Sequence, residues 1–486
     1  MQHEELDRSL FRGIAWTAVF RWATQLVSWV ATLYAVRRLD PGDYGLVAMA
    51  MVPVGLVRMV EDFGFESVLV QDRSLTTAET ARLAGLLLLA GAAIALLLGL
   101  ASVPVAHFFS EPGVVALVCA LAPLIVLDAA QVLPRARLQI DLHYGTLAAI
   151  GALQGCVTAA TLATCAWLGL GHWALVLNTL AGAVAATLAL LWLRPYRPAR
   201  PAGLRALLRP ILAGWRVLVS RAGWYTYTNA DQAVIGRLLG KEVLGTYSFA
   251  LTFSTLPIQE VTSVVSKVVP GVFSAVQRSP ESLRRYFLML TELVAYLAFP
   301  AAAGLALVAD SLIHVVLGTK WVAAIEPLRI LCLYAAGYAA QLLSSHVLMW
   351  TGQFRANMWL TLLSAAGLPL AFWLGASQGV AGVAWAWAIA FPLFSLPGLI
   401  MALRTAKTPF AAFLGALAPA ASGCLVMGAA VELLRRFGPF AFDSLAGLSA
   451  QILVGVVVYA ASMWLLYAAR LRTLAGAMRG LRAATS

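Results

Sequence analysis

Charge is scarce in this chain, and negative charge most of all: 22 Asp and Glu stand against 34 Lys and Arg, and charged residues make up 12% of the sequence, where a soluble protein carries about 25%. Cysteine is equally thin. Cys119, Cys156, Cys165, Cys332 and Cys424 all lie in apolar stretches without paired spacing, which argues against a disulfide framework or a zinc site. His107, His143, His172, His314 and His346 are scattered singly and read as structural. The sequence has no glycine loop followed by Lys-Ser/Thr to cradle a phosphate and no nucleophile-elbow motif. Nothing in it asks for a cofactor, a metal or an enzymatic mechanism.

Apolar length is what the chain has in excess. It is 61% hydrophobic, with a mean hydropathy of +0.84, the composition of a polytopic membrane protein. Runs of spanning length, roughly 20 residues, occur near 13–36, 42–66, 81–104, 113–134, 144–168 and 172–193, then near 211–236, 242–268, 284–309, 324–350, 356–376 and 379–403, with a last pair near 410–434 and 445–469. The reading is all-α: about 14 transmembrane helices, in an N-lobe over 1–193 and a C-lobe over 211–403, with two further helices and a basic tail over 404–486. The first run is too long for the core of a signal peptide and is expected to be retained.

The net charge of +12 does not gather on a polar face, which argues against nucleic acid. Arginines fall instead between the apolar runs, mostly in alternate loops, which places both termini in the cytoplasm by the positive-inside rule. The proline-rich segment over 194–210 divides the lobes; beyond a positive-inside loop, it is also readable as a docking site for anionic lipid headgroups.

The stretch Arg37 to Glu66 organises the rest. Pro41 suits the first turn of a helix with Asp40 as its cap, yet Arg58, Glu61 and Asp62 sit inside the apolar run that follows. A shift of 200 residues aligns Arg21 with Arg221, Arg37 with Arg237, Gly45 with Gly245 and Ala50 with Ala250. These matches fall on the first span of each lobe and the turn after it, as in a duplicated helix bundle.

The runs LDPGDYGLVAMA and EDFGFESVLVQDRSLTTAE, with NADQAVIGRLLGKEVLGTYSFA at Asn229 to Ala250, resemble the signatures of bacterial polysaccharide exporters, in the flippase superfamily that also holds the multidrug-and-toxin extruders. The resemblance implies a MATE-like, two-lobed exporter in the bacterial inner membrane. It would flip undecaprenyl-diphosphate-linked oligosaccharide from the inner to the outer leaflet, with polysaccharide polymerase machinery as a further partner.

A diphosphate suits arginine, whose planar fork donates two parallel hydrogen bonds and stays charged. Candidate substrate cations are therefore the basic residues inside spans, Arg21, Arg58, Arg221 and Lys267, with Arg216 nearer the interface. Arg21 and Arg221 either face each other across a cavity or snorkel and pair locally. Arg58, Glu61 and Asp62 share a helix face, as an internal network or as an ion-coupling site, for which Asp128, Glu260 and Glu292 are further candidates. Asn229 and Asp231 bind sugar hydroxyls or cap a helix end. Trp16, Trp22, Trp29, Trp385 and Trp387 stack on sugars or line the interface, and Pro53, Pro257, Pro300, Pro369, Pro392 and Pro397 permit kinks. The rival readings are an ion-coupled multidrug exporter, a membrane-embedded glycan polymerase or ligase, and a non-transporting scaffold. An exporter of cationic drugs asks for an acidic cavity, and a polymerase for a large outer loop.

Overall fold

A computed structural model describes residues 24–61, 76–200, 205–276, 279–438, 441 and 444–485, with no strand among them. The helices are α1 (24–38), α2 (Pro41–Glu61), α3 (Thr77–Phe109), α4 (Gly113–Leu121), α5 (Pro123–Ile140), α6 (Tyr144–Trp167), α7 (His172–Leu193), α8 (Arg205–Leu238), α9 (Lys241–Val276), α10 (Pro280–Leu312), α11 (Ile325–Trp350), α12 (Phe354–Gly375), α13 (Gly379–Thr405), α14 (Phe410–Phe437) and α15 (Leu445–Thr485). Ten stretches of the described residues are long and apolar enough to cross a membrane, and one of them, Phe354–Thr405, contains both α12 and α13. Large side chains such as Leu96, Leu100, Trp192 and Leu465 are exposed along these helices. On a polytopic membrane protein that surface meets lipid rather than water.

Local chemistry sets the helix starts. Pro41 opens α2, as its fixed φ predicts, and Asp43 at the third helical position reaches back to accept from the Asp40 N–H at 3.2 Å. Thr76 and Glu79 form a full capping box, in which Glu79 accepts from the Thr76 N–H at 2.8 Å. That box starts α3 four residues before its apolar run. Several boundaries differ from expectation, and three of them change how a basic segment is read. Helix α5 continues past residue 134 to Ile140, which puts Arg135 and Arg137 inside a helix rather than in a loop. Helix α8 begins at Arg205, within the segment read as a loop, because its Ala, Leu and Arg residues are strong helix formers. The C-terminal basic tail is helical to Thr485, beyond a break at Tyr467, where φ is −129°.

The chain divides into two compact units. The first runs to Tyr225 and adds Gly240–Gly245; the second takes Thr226–Leu239 and the residues from Thr246 onward. In the first unit α6 packs on α7, α3 on α4 and α5, and α2 on α4. A small apolar core of Ala35, Leu39, Leu162, Ala166 and Ala174 joins α1, α6 and α7. The core of the second unit is larger and centres on Phe273, Phe287, Leu290, Leu343 and Phe413.

Lipid offers no hydrophobic drive to bring helices together, so close approach relies on small residues. The first turns of α2 and α9 show this. A Cβ at Gly45 would land on the Lys241 carbonyl, and one at Gly245 would land on the Pro41 carbonyl. The two contacts are reciprocal, at positions related by the same shift of 200 residues. Gly45→Ala and Gly245→Ala are each expected to destabilise the protein by about 1–3 kcal/mol through overpacking. The double variant should lose less than the sum, since one displacement makes room for both methyls. Thermal midpoints in detergent measure this, and strict additivity would show that the two glycines do not share a contact.

Candidate functional site

In the first unit polar residues of α2, α5 and α7 meet inside the apolar spans. Arg58, in the last turn of α2, donates from Nε to Asp128 Oδ2 of α5 at 2.7 Å, with side chains 37% and 28% exposed. The ion pair uses one edge of the guanidinium. Among the described residues its two terminal amino groups have no protein partner, so they remain able to grip a planar or tetrahedral anion. Along the same face of α5, Gln131 donates to Thr187 Oγ1 at 2.8 Å and accepts from Arg135 at 2.6 Å. Asp128, Gln131 and Arg135 thus form a stripe at helical spacing.

Helix α8 is fastened to α2 beside this stripe. The Tyr225 hydroxyl donates to the Val52 carbonyl at 2.8 Å, and a Cβ at Gly55 would collide with that hydroxyl, so glycine is what lets the two helices meet. Arg221 lies one turn before Tyr225, and Arg58 lies about one turn beyond Gly55 on the antiparallel α2. One turn of helix rises about 5.4 Å.

Arg221 is exposed and engaged with a neighbour. The sequence offered Arg21 as its counterpart; Arg21 and Asp62 lie outside the described residues, as do the side chains of Glu61, Arg216 and Lys267, together with Trp16 and Trp22. The pairing of Arg58 with Asp128, 70 residues away in the same chain, is a finding that the shared face of Arg58, Glu61 and Asp62 did not anticipate. Tyr225, Gln131 and Arg135 were also missed. The available signal was the pairing of Gly55 with a tyrosine on a neighbouring span, which a single sequence does not register.

In the second unit Asp231 is turned inward. It is fully buried, and its carboxylate accepts from Tyr247 Oη at 2.6 Å, Trp387 Nε1 at 2.7 Å and the Gln232 N–H at 2.7 Å. It neither caps a helix end nor presents an oxygen to a sugar; it pins α8, α9 and α13 together. Trp387, expected as a stacking or interfacial residue, is 1% exposed and packs against Phe372 and Tyr334 at centroid distances of 4.8 and 4.5 Å. Its indole N–H is consumed by Asp231, so it is not a stacking platform. Trp29 and Trp385 are exposed. Asn229 donates to Thr228 Oγ1 at 3.2 Å.

The remaining acidic candidates are dispersed. Glu292 accepts from Tyr296 Oη at 2.7 Å with Arg470 3.8 Å away, and Glu260 is exposed and engaged. Two acidic residues serve as clasps near helix ends. Asp43 accepts from the His172 backbone at 2.9 Å, capping α7, and Asp310 takes both Arg329 and Arg435, the latter at 2.9 Å.

Comparison with known proteins places this geometry. Residues 35–326 match the model of a family described as polysaccharide biosynthesis protein. The chain is 25% identical to the teichuronic acid biosynthesis protein TuaB of Bacillus subtilis, covering 68% of each chain. It is 25% identical to the lipopolysaccharide biosynthesis protein WzxC of Escherichia coli, covering 67% of each, and 24% identical to the succinoglycan biosynthesis transport protein ExoT of Rhizobium meliloti, covering 93% of this chain and 92% of that one. Among solved structures, the lipid II flippase MurJ in an inward closed conformation superposes with a TM-score of 0.76 at 13% identity, over 94% of this chain and 99% of that one. An inward-facing MATE multidrug transporter of the MOP superfamily superposes with a TM-score of 0.65 at 14% identity, over 79% and 94%. The fold is therefore the one shared by these flippases and transporters, and the chain belongs to the polysaccharide biosynthesis protein family.

Proposed function

We propose that this protein flips undecaprenyl-diphosphate-linked oligosaccharide from the inner to the outer leaflet of the bacterial cytoplasmic membrane, for assembly of a surface or exported polysaccharide. The observation that carries the reading is Arg58: a half-buried guanidinium in a spanning helix, held on one edge by Asp128, with its amino groups unengaged among the described residues. A membrane protein retains an intramembrane arginine at a cost of about 2.5–3.5 kcal/mol on insertion scales. An anionic diphosphate headgroup gives that cost a purpose. Arg221, one turn from the Tyr225 that bonds to α2, supplies a second guanidinium for the charge of the diphosphate while the lipid tail stays in the bilayer.

The rest of the proposal follows the distribution of charge. Fourteen spans in two lobes, both termini cytoplasmic, alternating access between the lobes and delivery to a polymerase are parts of the same reading. The cationic character of the Arg58 and Arg221 neighbourhood disfavours an exporter of cationic drugs. Family and fold neighbours named as flippases and transporters support a carrier rather than an enzyme.

Purified protein in vesicles, supplied on one face with labelled lipid-diphosphate oligosaccharide, tests the reading by the appearance of label on the other face. Failure of the protein to move this substrate under any gradient would reject it. The same assay addresses coupling: a rate that falls when the proton gradient is collapsed, and loses that dependence in Asp128→Asn, assigns coupling to the Arg58–Asp128 pair. A rate indifferent to proton and sodium gradients removes Asp128 and Glu292 from any coupling role.

A further inference from the structure

Arg404 and Lys407 stand over an apolar groove at the corner where α13 turns into α14. The groove has a volume of about 570 Å³, with Leu396, Ile400, Leu403 and Phe410 among its walls. The turn is fixed by its backbone: the Thr408 N–H bonds to the Leu403 carbonyl at 2.8 Å, the Lys407 N–H bonds to the Arg404 carbonyl at 3.1 Å, and Lys407 holds φ at +46°. Both cations are exposed, and neither makes an ion pair among the described residues. The neighbouring α11–α12 turn is tied to the same corner by Gln353 Nε2, which donates to Thr405 Oγ1 at 2.8 Å.

The juxtaposition defines an occupant. An apolar slot at the end of two spanning helices takes a hydrocarbon chain, and two unpaired cations at its mouth take a phosphate. Sugar-binding groups are lacking there: the only polar side chains among its lining residues are Arg404, Lys407 and the buried Thr408, whose hydroxyl donates to the Ala406 carbonyl. We propose that this corner of the second unit binds one anionic phospholipid of the surrounding leaflet, with its headgroup phosphate between Arg404 and Lys407 and one acyl chain along Leu396, Ile400 and Phe410. The proposal is independent of the flipping reaction, since the site contains none of the residues assigned to the substrate. Basic pockets between spanning helices are a recognised setting for anionic headgroups, each cation contributing about 1 kcal/mol, or roughly fivefold in affinity.

Native mass spectrometry of the detergent-purified full chain, titrated with phosphatidylglycerol or phosphatidylcholine, tests this. Wild type should retain one phosphatidylglycerol in preference to phosphatidylcholine. Arg404→Ala or Lys407→Ala should weaken that retention about fivefold each and the double variant about 25-fold, with phosphatidylcholine retention unchanged. The exchange Arg404→Lys with Lys407→Arg should keep it, and Ile400→Trp, which fills the groove, should lose it with both cations present. Equal retention of phosphatidylglycerol by the double alanine variant and wild type would overturn the proposal, as would equal loss of both lipids. Undecaprenyl phosphate is the competitor arm: displacement of phosphatidylglycerol at matched concentration, abolished by the same alanines, would reassign the groove to the carrier lipid and reject the phospholipid as its occupant.

Discussion

Alanine at Arg58 or at Arg221 is expected to slow transfer of lipid-diphosphate oligosaccharide at least tenfold in the vesicle assay, and the double variant to stop it, while all three variants remain inserted and folded. A hydrogen bond to a charged group contributes about 1.5–3 kcal/mol, which is a factor of ten or more for each guanidinium that loses its phosphate oxygen. Removing Arg58 also leaves Asp128 without its cation, but that carboxylate is 28% exposed and keeps water as a partner, so the stability cost is small. Arg58→Lys separates charge from shape. It keeps the cation and loses the fork that lets one edge hold Asp128 while the other holds phosphate, so an intermediate rate is expected. Normal transfer by the double alanine variant would remove both arginines from the substrate site. A loss confined to Arg221→Ala would leave Arg58 as a structural partner of Asp128 alone.

The largest loss of stability is expected from Asp231→Ala. The carboxylate is fully buried and receives Tyr247, Trp387 and the Gln232 N–H. Its removal strands donors that have no water to turn to, at about 1–3 kcal/mol for each buried group left unpaired. Against a total stability of about 5–15 kcal/mol, such a loss should show as a sharp fall in folded yield and thermal midpoint. Asp231→Asn keeps an oxygen that can accept and should be milder. Tyr247→Phe leaves the carboxylate with two of its donors and should also cost less. Unfolding monitored by intrinsic fluorescence in detergent decides the order. An unchanged midpoint in Asp231→Ala would mean that the carboxylate does not fasten α8, α9 and α13.

Asp231 also marks where reading along the chain stops working. In sequence it stands beside Asn229 in a polar break, which is how a sugar-binding or capping residue looks. Its partners are 16 and 156 residues away, and hydropathy carries no information at such separations. Trp387 shows the same limit: an indole in an apolar run has the same local pattern whether it faces lipid or a buried carboxylate. Arg58 and Asp128, 70 residues apart, repeat the case, since the carboxylates nearest to Arg58 in sequence were Glu61 and Asp62.

Read alone, the sequence identified an all-α membrane protein in which α2 begins at Pro41. It also determined that the turns at Pro41 and Lys241 correspond. These follow from composition, from apolar length and from capping chemistry, all of which act within a few residues. Which charges pair, the buried fastening of Asp231 and Trp387, the contact between Gly45 and Gly245 and their neighbours' carbonyls, and the groove under Arg404 and Lys407 are matters of tertiary contact. Each depends on what a neighbouring helix presents at the same depth. In a bilayer, where every span is apolar, small residues and satisfied polar groups select that neighbour, and hydrophobicity does not.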